Sequence, residues 1–306
     1  MSQRNDNQNE HHTHPPDSIT TSGWRKESEK IELDLLLEAI YQKYHYDFKE
    51  YSQAHIKRRF MYRMRMAKLK NLSEMQHKIL YNQSFFETLL MDLSINVTEM
   101  FRDPSFYLAI RKKIIPHLEK YPFIKIWHAG CASGEEVYSM AILLKEEGLL
   151  EKTQIYATDF NTLVLKRAKD GIYPIDHIKE YTSNYQKAGG VNSFADYYNA
   201  QYDSVIVSTS LKERIVFADH NLVTDEVFGE MNMILCRNVL IYFTKKLQNR
   251  VVKLFLDSLT STGFLCLGSK ESLQFSEYSN QFKVFVAKEK IYQRKPGNGE
   301  KQDREV

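Results

Sequence analysis

Residues 129–136 read AGCASGEE, just after the apolar run FIKIW (123–127) and just before the start of EEVYSMAILLKEE (135–147). A short apolar run that stops at a glycine turn predicts a buried strand, and the stretch after the turn predicts a helix. The unit then recurs. TQIYATDF (153–160) predicts a strand and NTLVLKRAKDG (161–171) a helix with a glycine stop. MNMILC (231–236) predicts another strand, TKKLQNRVVKLFLDSLTSTG (244–263) a helix and GFLCLG (263–268) a strand. Alternation of this kind predicts an α/β fold, a mostly parallel sheet with helices on its faces. Between the units, NSFADYYNAQYDSVIVSTSLKERIVFADHN (192–221) is rich in Tyr, Val and Ile and poor in helix signals. Part of it reads as a small antiparallel excursion, within an insertion expected at about 180–218.

Upstream the pattern is helical. IELDLLLEAIYQKY (31–44) spaces Ile31, Leu35, Ala39 and Ile40 along one face. AHIKRRFMYRMRMAKLK (54–70) aligns Ile56, Phe60, Met64 and Ala67, with Lys57, Arg58, Arg59, Arg63 and Arg65 over much of the rest. SEMQHKILYN (73–82) and QSFFETLLMDLS (83–94) predict further helices. The expected organisation is a polar tail at 1–28, a helical domain at 29–95, an α/β domain at 96–292 and a second tail at 293–306. The histidines of HHTH (11–14) are read as part of a solvated tail.

The bulk numbers set limits. At 306 residues the chain holds one large domain or two ordinary ones. A net charge of +3 gives no ground for a nucleic-acid partner. Three cysteines, Cys131, Cys236 and Cys266, lack metal-ligand spacing and suit a reducing cytoplasm. No apolar stretch approaches the roughly 18 residues of a membrane span, and the polar N-terminus has no secretory core.

The glycine turn poses a chemical problem. A dinucleotide's pyrophosphate sits at such a helix N-terminus, but here Glu135 and Glu136 would repel it. A ligand carrying positive charge and no phosphate suits the turn better. S-adenosylmethionine, with its sulfonium, ammonium, ribose and adenine, is such a ligand, and Gly130 and Gly134 permit close backbone approach. Asp159 ends the next predicted strand, where an acid accepts hydrogen bonds from ribose hydroxyls; the other reading is an N-cap for the following helix.

The sequence resembles the CheR-type chemotaxis receptor methyltransferases. The resemblance is carried by NVTEMFRD (96–103), AGCASGEEVYS (129–139), ATD (157–159), HNL (220–222) and CRNVLIYF (236–243), in family order. It implies a Rossmann-like S-adenosylmethionine-dependent methyltransferase domain with a small inserted β subdomain, preceded by an all-helical domain. It implies an enzyme, a protein-glutamate O-methyltransferase, that converts chemoreceptor glutamates to methyl esters and leaves S-adenosyl-L-homocysteine. Cofactor contacts are implied at Asn96, Thr98, Arg102, Gly130, Glu136, Asp159, Asn221, Leu222, Cys236 and Arg237, with Arg102 and Tyr242 beside the transferring methyl. The sequence departs from the family at His128, where small residues are usual, at Val137, where proline is common, and at GSKES (268–272), which replaces a histidine-containing turn.

The chemistry these residues support is simple. A glutamate carboxylate, with an ordinary pKa of about 4.3, is already ionised at neutral pH. The site need only hold it in line with the methyl group. Arg102 offers a planar donor fork and Tyr242 one hydroxyl. Cys236 is expected to line the pocket as a thiol, with no partner to make it a nucleophile. Arg58, Arg59, Arg63 and Arg65 read either as a solvated face or as a docking surface for the acidic helical domain of a chemoreceptor. The alternative function is methylation of a different protein or a small molecule. Nucleic-acid amino-methylation is disfavoured by CRNVLIYF, which stands where a proline-aromatic motif would be.

Overall fold

The structure, a computed structural model, describes residues 21–94 and 98–297. Four helices come first: α1 (Thr21–Tyr44), α2 (Gln53–Met66), α3 (Leu72–Tyr81) and α4 (Gln83–Leu93). Asparagines punctuate them. Asn71 Oδ1 accepts the Glu74 N–H to start α3, and Asn82 Oδ1 accepts the Phe85 N–H to start α4. Leu36, Ile40, Phe60, Met75, Ile79 and Leu89 close a core of their own.

The α/β unit begins at α5 (Pro104–Ala109), which runs through a π turn at Ile110–Ile114 into α6 (Ile115–Leu118). Then come β1 (Ile124–Ala129), α7 (Glu135–Glu146), β2 (Thr153–Asp159) and α8 (Thr162–Asp170). A small unit follows: β3 (Ile172–Pro174), α9 (Ile178–Lys187), β4 (Tyr198–Gln201), β5 (Ser204–Val207) and α10 (Thr209–Lys212). The chain returns through β6 (Ile215–Asp219), β7 (Met231–Cys236), α11 (Lys245–Ser258), β8 (Leu259–Leu267), β9 (Phe282–Val286) and β10 (Ile291–Arg294).

Among the described residues the main sheet has the order β6-β2-β1-β7-β8-β10-β9. The pairs from β6 to β8 are parallel, and those of β10 with β8 and β9 are antiparallel. After β1 the chain moves outward to β2 and β6, then returns to β7 on the other side of β1. The order therefore reverses between β1 and β7, and a crevice opens beyond their carboxyl ends. The antiparallel sheet β3-β5-β4 stands apart, inserted between α8 and β6.

The helical unit grips the α/β unit next to that crevice. Ser52 N–H donates to Tyr242 O at 2.8 Å, and Thr244 N–H donates to Glu50 O at 2.9 Å. The Tyr51 ring meets Phe243 edge-on at 4.9 Å. Phe160, just after β2, packs against Tyr46 and Phe48.

Several details differ from the sequence expectation. Helix α1 starts at Thr21, inside the expected tail 1–28, and β10 carries order through Arg294, past the expected end at 292. Residues 1–20, with the HHTH histidines, and 298–306 lie outside the described residues. On α1 the buried face is Leu33, Leu36, Leu37 and Ile40, while Ile31 and Leu35 are each 54% exposed. The run DLLLEA carries two overlapping stripes, and packing against α3 selects the second. The small sheet begins at Ile172, before the expected 180, because the three-residue β3 ends in a proline that reads as a turn. The expected insertion, to about 218, also took in most of β6, which instead pairs in parallel with β2 in the main sheet. Helix α11 stops at Ser258, and LTSTG (259–263), expected as helix, opens β8: Leu259 pairs with Met231 of β7, and the register shifts before pairing resumes at Phe264.

Candidate functional site

The crevice is a cavity of about 480 Å³. Each sequence motif supplies one wall. The glycine turn is stapled to the end of β2: Gly130 and Cys131 N–H groups donate to Thr158 O at 2.8 and 2.9 Å. Gly130 lies at φ +77°, and a Cβ there would come 2.7 Å from Val239 Cγ2, so only glycine lets the two loops meet. Gly134, at φ +91°, lets the start of α7 pack on Ala168.

The two acids of the turn separate. Glu135 points away from the crevice, takes a hydrogen bond from Ser133 Oγ at 2.8 Å, and is pushed by burial up to about 7. Glu136 faces the cavity. Its Oε2 accepts from Arg237 Nη1 at 2.8 Å, and its Oε1 lies 3.1 Å from His128 Nδ1. Burial works to raise its carboxyl, but the Arg237 guanidinium and His128 outweigh burial and leave it below its ordinary value. Arg237 also donates to Asp103 Oδ2 at 2.6 Å and lies over the Phe106 ring at 4.1 Å. His128, unusual by family pattern, thus belongs to a buried chain behind the cavity.

Asp159 closes β2 with both oxygens facing the glycine turn and its own loop. Oδ2 accepts Ala132 N–H and Oδ1 accepts Asn161 N–H, each at 3.0 Å. Burial pushes its carboxyl up to about 6, against the pull of those N–H groups. It is not the cap of α8, because Asn161 takes that place by accepting the Leu163 N–H.

Arg102 reaches the cavity from a tightly wound segment. Its neighbours Phe101 and Asp103 both lie in the left-handed region, at φ 54° and 56°. Such backbone persists only where surroundings hold it. Phe101 is fully buried against Tyr107 and Tyr185, and its N–H donates to Ser139 Oγ at 2.8 Å. Opposite, Tyr242 lies beside His55, ring centroids 5.3 Å apart. Burial pushes its phenol up, with Arg59 and Arg102 pulling the other way. The hydroxyl therefore stays protonated at neutral pH, able to donate.

Of the residues singled out from sequence, Thr98, Arg102, Gly130, Glu136, Asp159, Asn221, Leu222, Arg237 and Tyr242 line this one cavity. Cys236 is not among the lining residues: it is fully buried at the end of β7, and burial pushes its thiol well up. Asn96 lies outside the described residues. Sequence reasoning missed Tyr51, His55, Arg59, Phe160 and Lys270. Arg59 carried a signal, its place on the basic helix, but nothing local says that this helix faces a site more than forty residues further along the chain.

The donor set fits S-adenosylmethionine: two carboxylates, Asp159 and Glu136, line a cavity to which the turn at Gly130 gives close backbone approach. Among the described residues no helix is long and apolar enough to cross a membrane.

Comparison with known proteins agrees. Residues 96–291 match the model of the CheR methyltransferase SAM-binding domain, and residues 31–94 that of the CheR methyltransferase all-alpha domain. The chain is 52% identical over 264 residues to methyltransferase Cher3 of Pseudomonas putida, covering 86% of this chain and 97% of that one. It is 31% identical to a chemotaxis protein methyltransferase of Borreliella burgdorferi, over 80% of this chain and 89% of that one. A 104.1 kDa protein of Rhodobacter capsulatus is 27% identical over 84% of this chain, which spans 27% of its length.

Proposed function

Because the chain belongs to the CheR methyltransferase family, an S-adenosylmethionine-dependent group, we propose that it methylates glutamate side chains of chemoreceptors in the cytoplasm. The observation that carries this reading is the convergence of Arg102 and Tyr242 on the cavity that also holds the glycine turn and Asp159. Asp159 takes the ribose hydroxyls, Glu136 the cofactor's cationic end, and Thr98, Asn221, Leu222 and Arg237 complete the contacts. When bound, S-adenosylmethionine supplies an electrophilic methyl on sulfur.

The chain's own residues then have a modest task. The acceptor glutamate arrives ionised, so no base is needed. Arg102 and the Tyr242 hydroxyl orient one carboxylate oxygen in line with the methyl carbon and leave its attacking lone pair free. As the C–O bond forms and the C–S bond breaks, an anion and a sulfonium become neutral. Walls that exclude water, including Ile56 and Phe243, favour that loss of charge.

The test is incubation with labelled cofactor and receptor fragments, followed by mild alkali. Label released as methanol supports a glutamate ester. An alkali-stable label points to a side chain other than glutamate, and absence of label in any fragment sinks the chemoreceptor reading in favour of another protein or a small-molecule acceptor.

A further inference from the structure

One buried acid near the cavity has no part in the chemistry above. Glu271 lies in the turn after β8 and is 5% exposed. Its carboxylate is met by main-chain groups. Oε2 accepts from Gly268 N–H at 2.6 Å and from Asn238 N–H at 3.0 Å, and Oε1 accepts from Ile241 N–H at 3.3 Å. An ionised carboxylate is the side chain with acceptor lone pairs on both oxygens and no donor. A glutamine in its place would turn an NH2 group toward backbone N–H groups.

Asn238 and Ile241 belong to the loop 237–243. This loop holds Asn238 in the left-handed region at φ 61°, brings Val239 against Gly130, and ends at Tyr242 and Phe243. Its far end is held by Ser52, which donates to Tyr242 O at 2.8 Å. Glu271 holds its beginning and middle. The closeness is such that a Cβ on Gly268 would meet Asn238 N at 2.8 Å.

We propose that Glu271 is a positioning residue for methyl transfer, fixing the loop so that Tyr242 stays aimed at the acceptor and Val239 against the glycine turn. The proposal rests on reading Tyr242 as an acceptor-side group. The plain alternative is a staple that serves folding only.

The experiment uses the full chain with Glu271→Gln and Tyr242→Phe, singly and together. Three quantities are read: amide hydrogen exchange at Asn238 and Ile241, S-adenosylhomocysteine affinity by calorimetry, and steady-state methyl transfer to a receptor fragment. In Glu271→Gln the two amides exchange faster and kcat falls by up to about 100-fold, the cost of an ångström-scale misplacement, while KM for the fragment stays near wild type. Tyr242→Phe then adds little to Glu271→Gln, because both remove the same positioned hydroxyl. Fully additive losses, or an unchanged kcat, overturn the proposal. If Glu271→Gln does not fold, Glu271→Asp, which keeps the charge but shortens the reach, is judged by the same criteria. If the wild type methylates no receptor fragment, the acceptor reading alone fails. Exchange at Asn238 and Ile241 then decides on Glu271, faster exchange upholding its hold on the loop and unchanged exchange overturning it.

Discussion

Asp159 has its oxygens partly occupied by the Ala132 and Asn161 N–H groups. A carboxylate has about four acceptor sites, so capacity remains for a ribose hydroxyl. Asp159→Ala should therefore weaken S-adenosylmethionine and S-adenosylhomocysteine alike, since both carry the ribose. A charged hydrogen bond lost at a buried site costs about 1.5–3 kcal/mol, or about 10- to 150-fold in Kd. Calorimetry with the two ligands checks this, and an unchanged affinity in a folded variant removes Asp159 from the ribose. The residue was visible in the sequence because strand, turn and acid lie close together in the chain. Tyr51 and Lys270 were not visible, and Arg59 stood out only as part of a basic helix, because each reaches the cavity through packing between distant segments, which no local pattern encodes.

At the scale of elements, the basic helix α2 divides into two populations. Arg63 bridges Asp92 at 2.5 Å and Arg59 lines the cavity, so neither belongs to an open docking face. Arg58 and Arg65 are exposed. A receptor helix rich in glutamate would meet those two. Reversing both to glutamate should raise KM for receptor fragments, leave S-adenosylhomocysteine affinity alone, and remove most of the salt dependence, since such fields are screened beyond about 8 Å at physiological ionic strength. Steady-state rates across a salt series decide it. Equal salt sensitivity in variant and wild type places the docking face elsewhere. The elements themselves were legible wherever period and punctuation agreed, as at the glycine that stops α8. They were misread where a helix passes into a strand without a breaker, as at Ser258–Leu259, and where two stripes overlap, as on α1.

At the scale of the whole molecule, stability carries a pH signature from Glu135. Its carboxyl is raised from 4.5 to about 7 in the folded chain, chiefly by burial. The folded state therefore holds this proton across that interval while the unfolded chain releases it. Stability from this group is complete below about 4.5 and declines as pH rises toward 7. Thermal unfolding should show a smaller decline over this window in Glu135→Gln than in wild type. Parallel curves would mean that Glu135 titrates normally. The two-domain plan was readable from the switch between helical and alternating patterns, but the way the domains meet was not. That junction depends on the pairing of residues 50–52 with 242–244.

The same pairing has a consequence for ancestry. Two units that match separate family models are often treated as interchangeable beads. Here the backbone of one unit hydrogen-bonds the loop that carries Tyr242 in the other, and Asn161 Nδ2 reaches back to Ser94 Oγ at 2.7 Å. A gene shuffle that kept the second bead and exchanged the first would inherit the loop 237–243 without its outer support. The pair is therefore expected to travel through lineages as one heritable cassette, with innovation confined to what is added outside it.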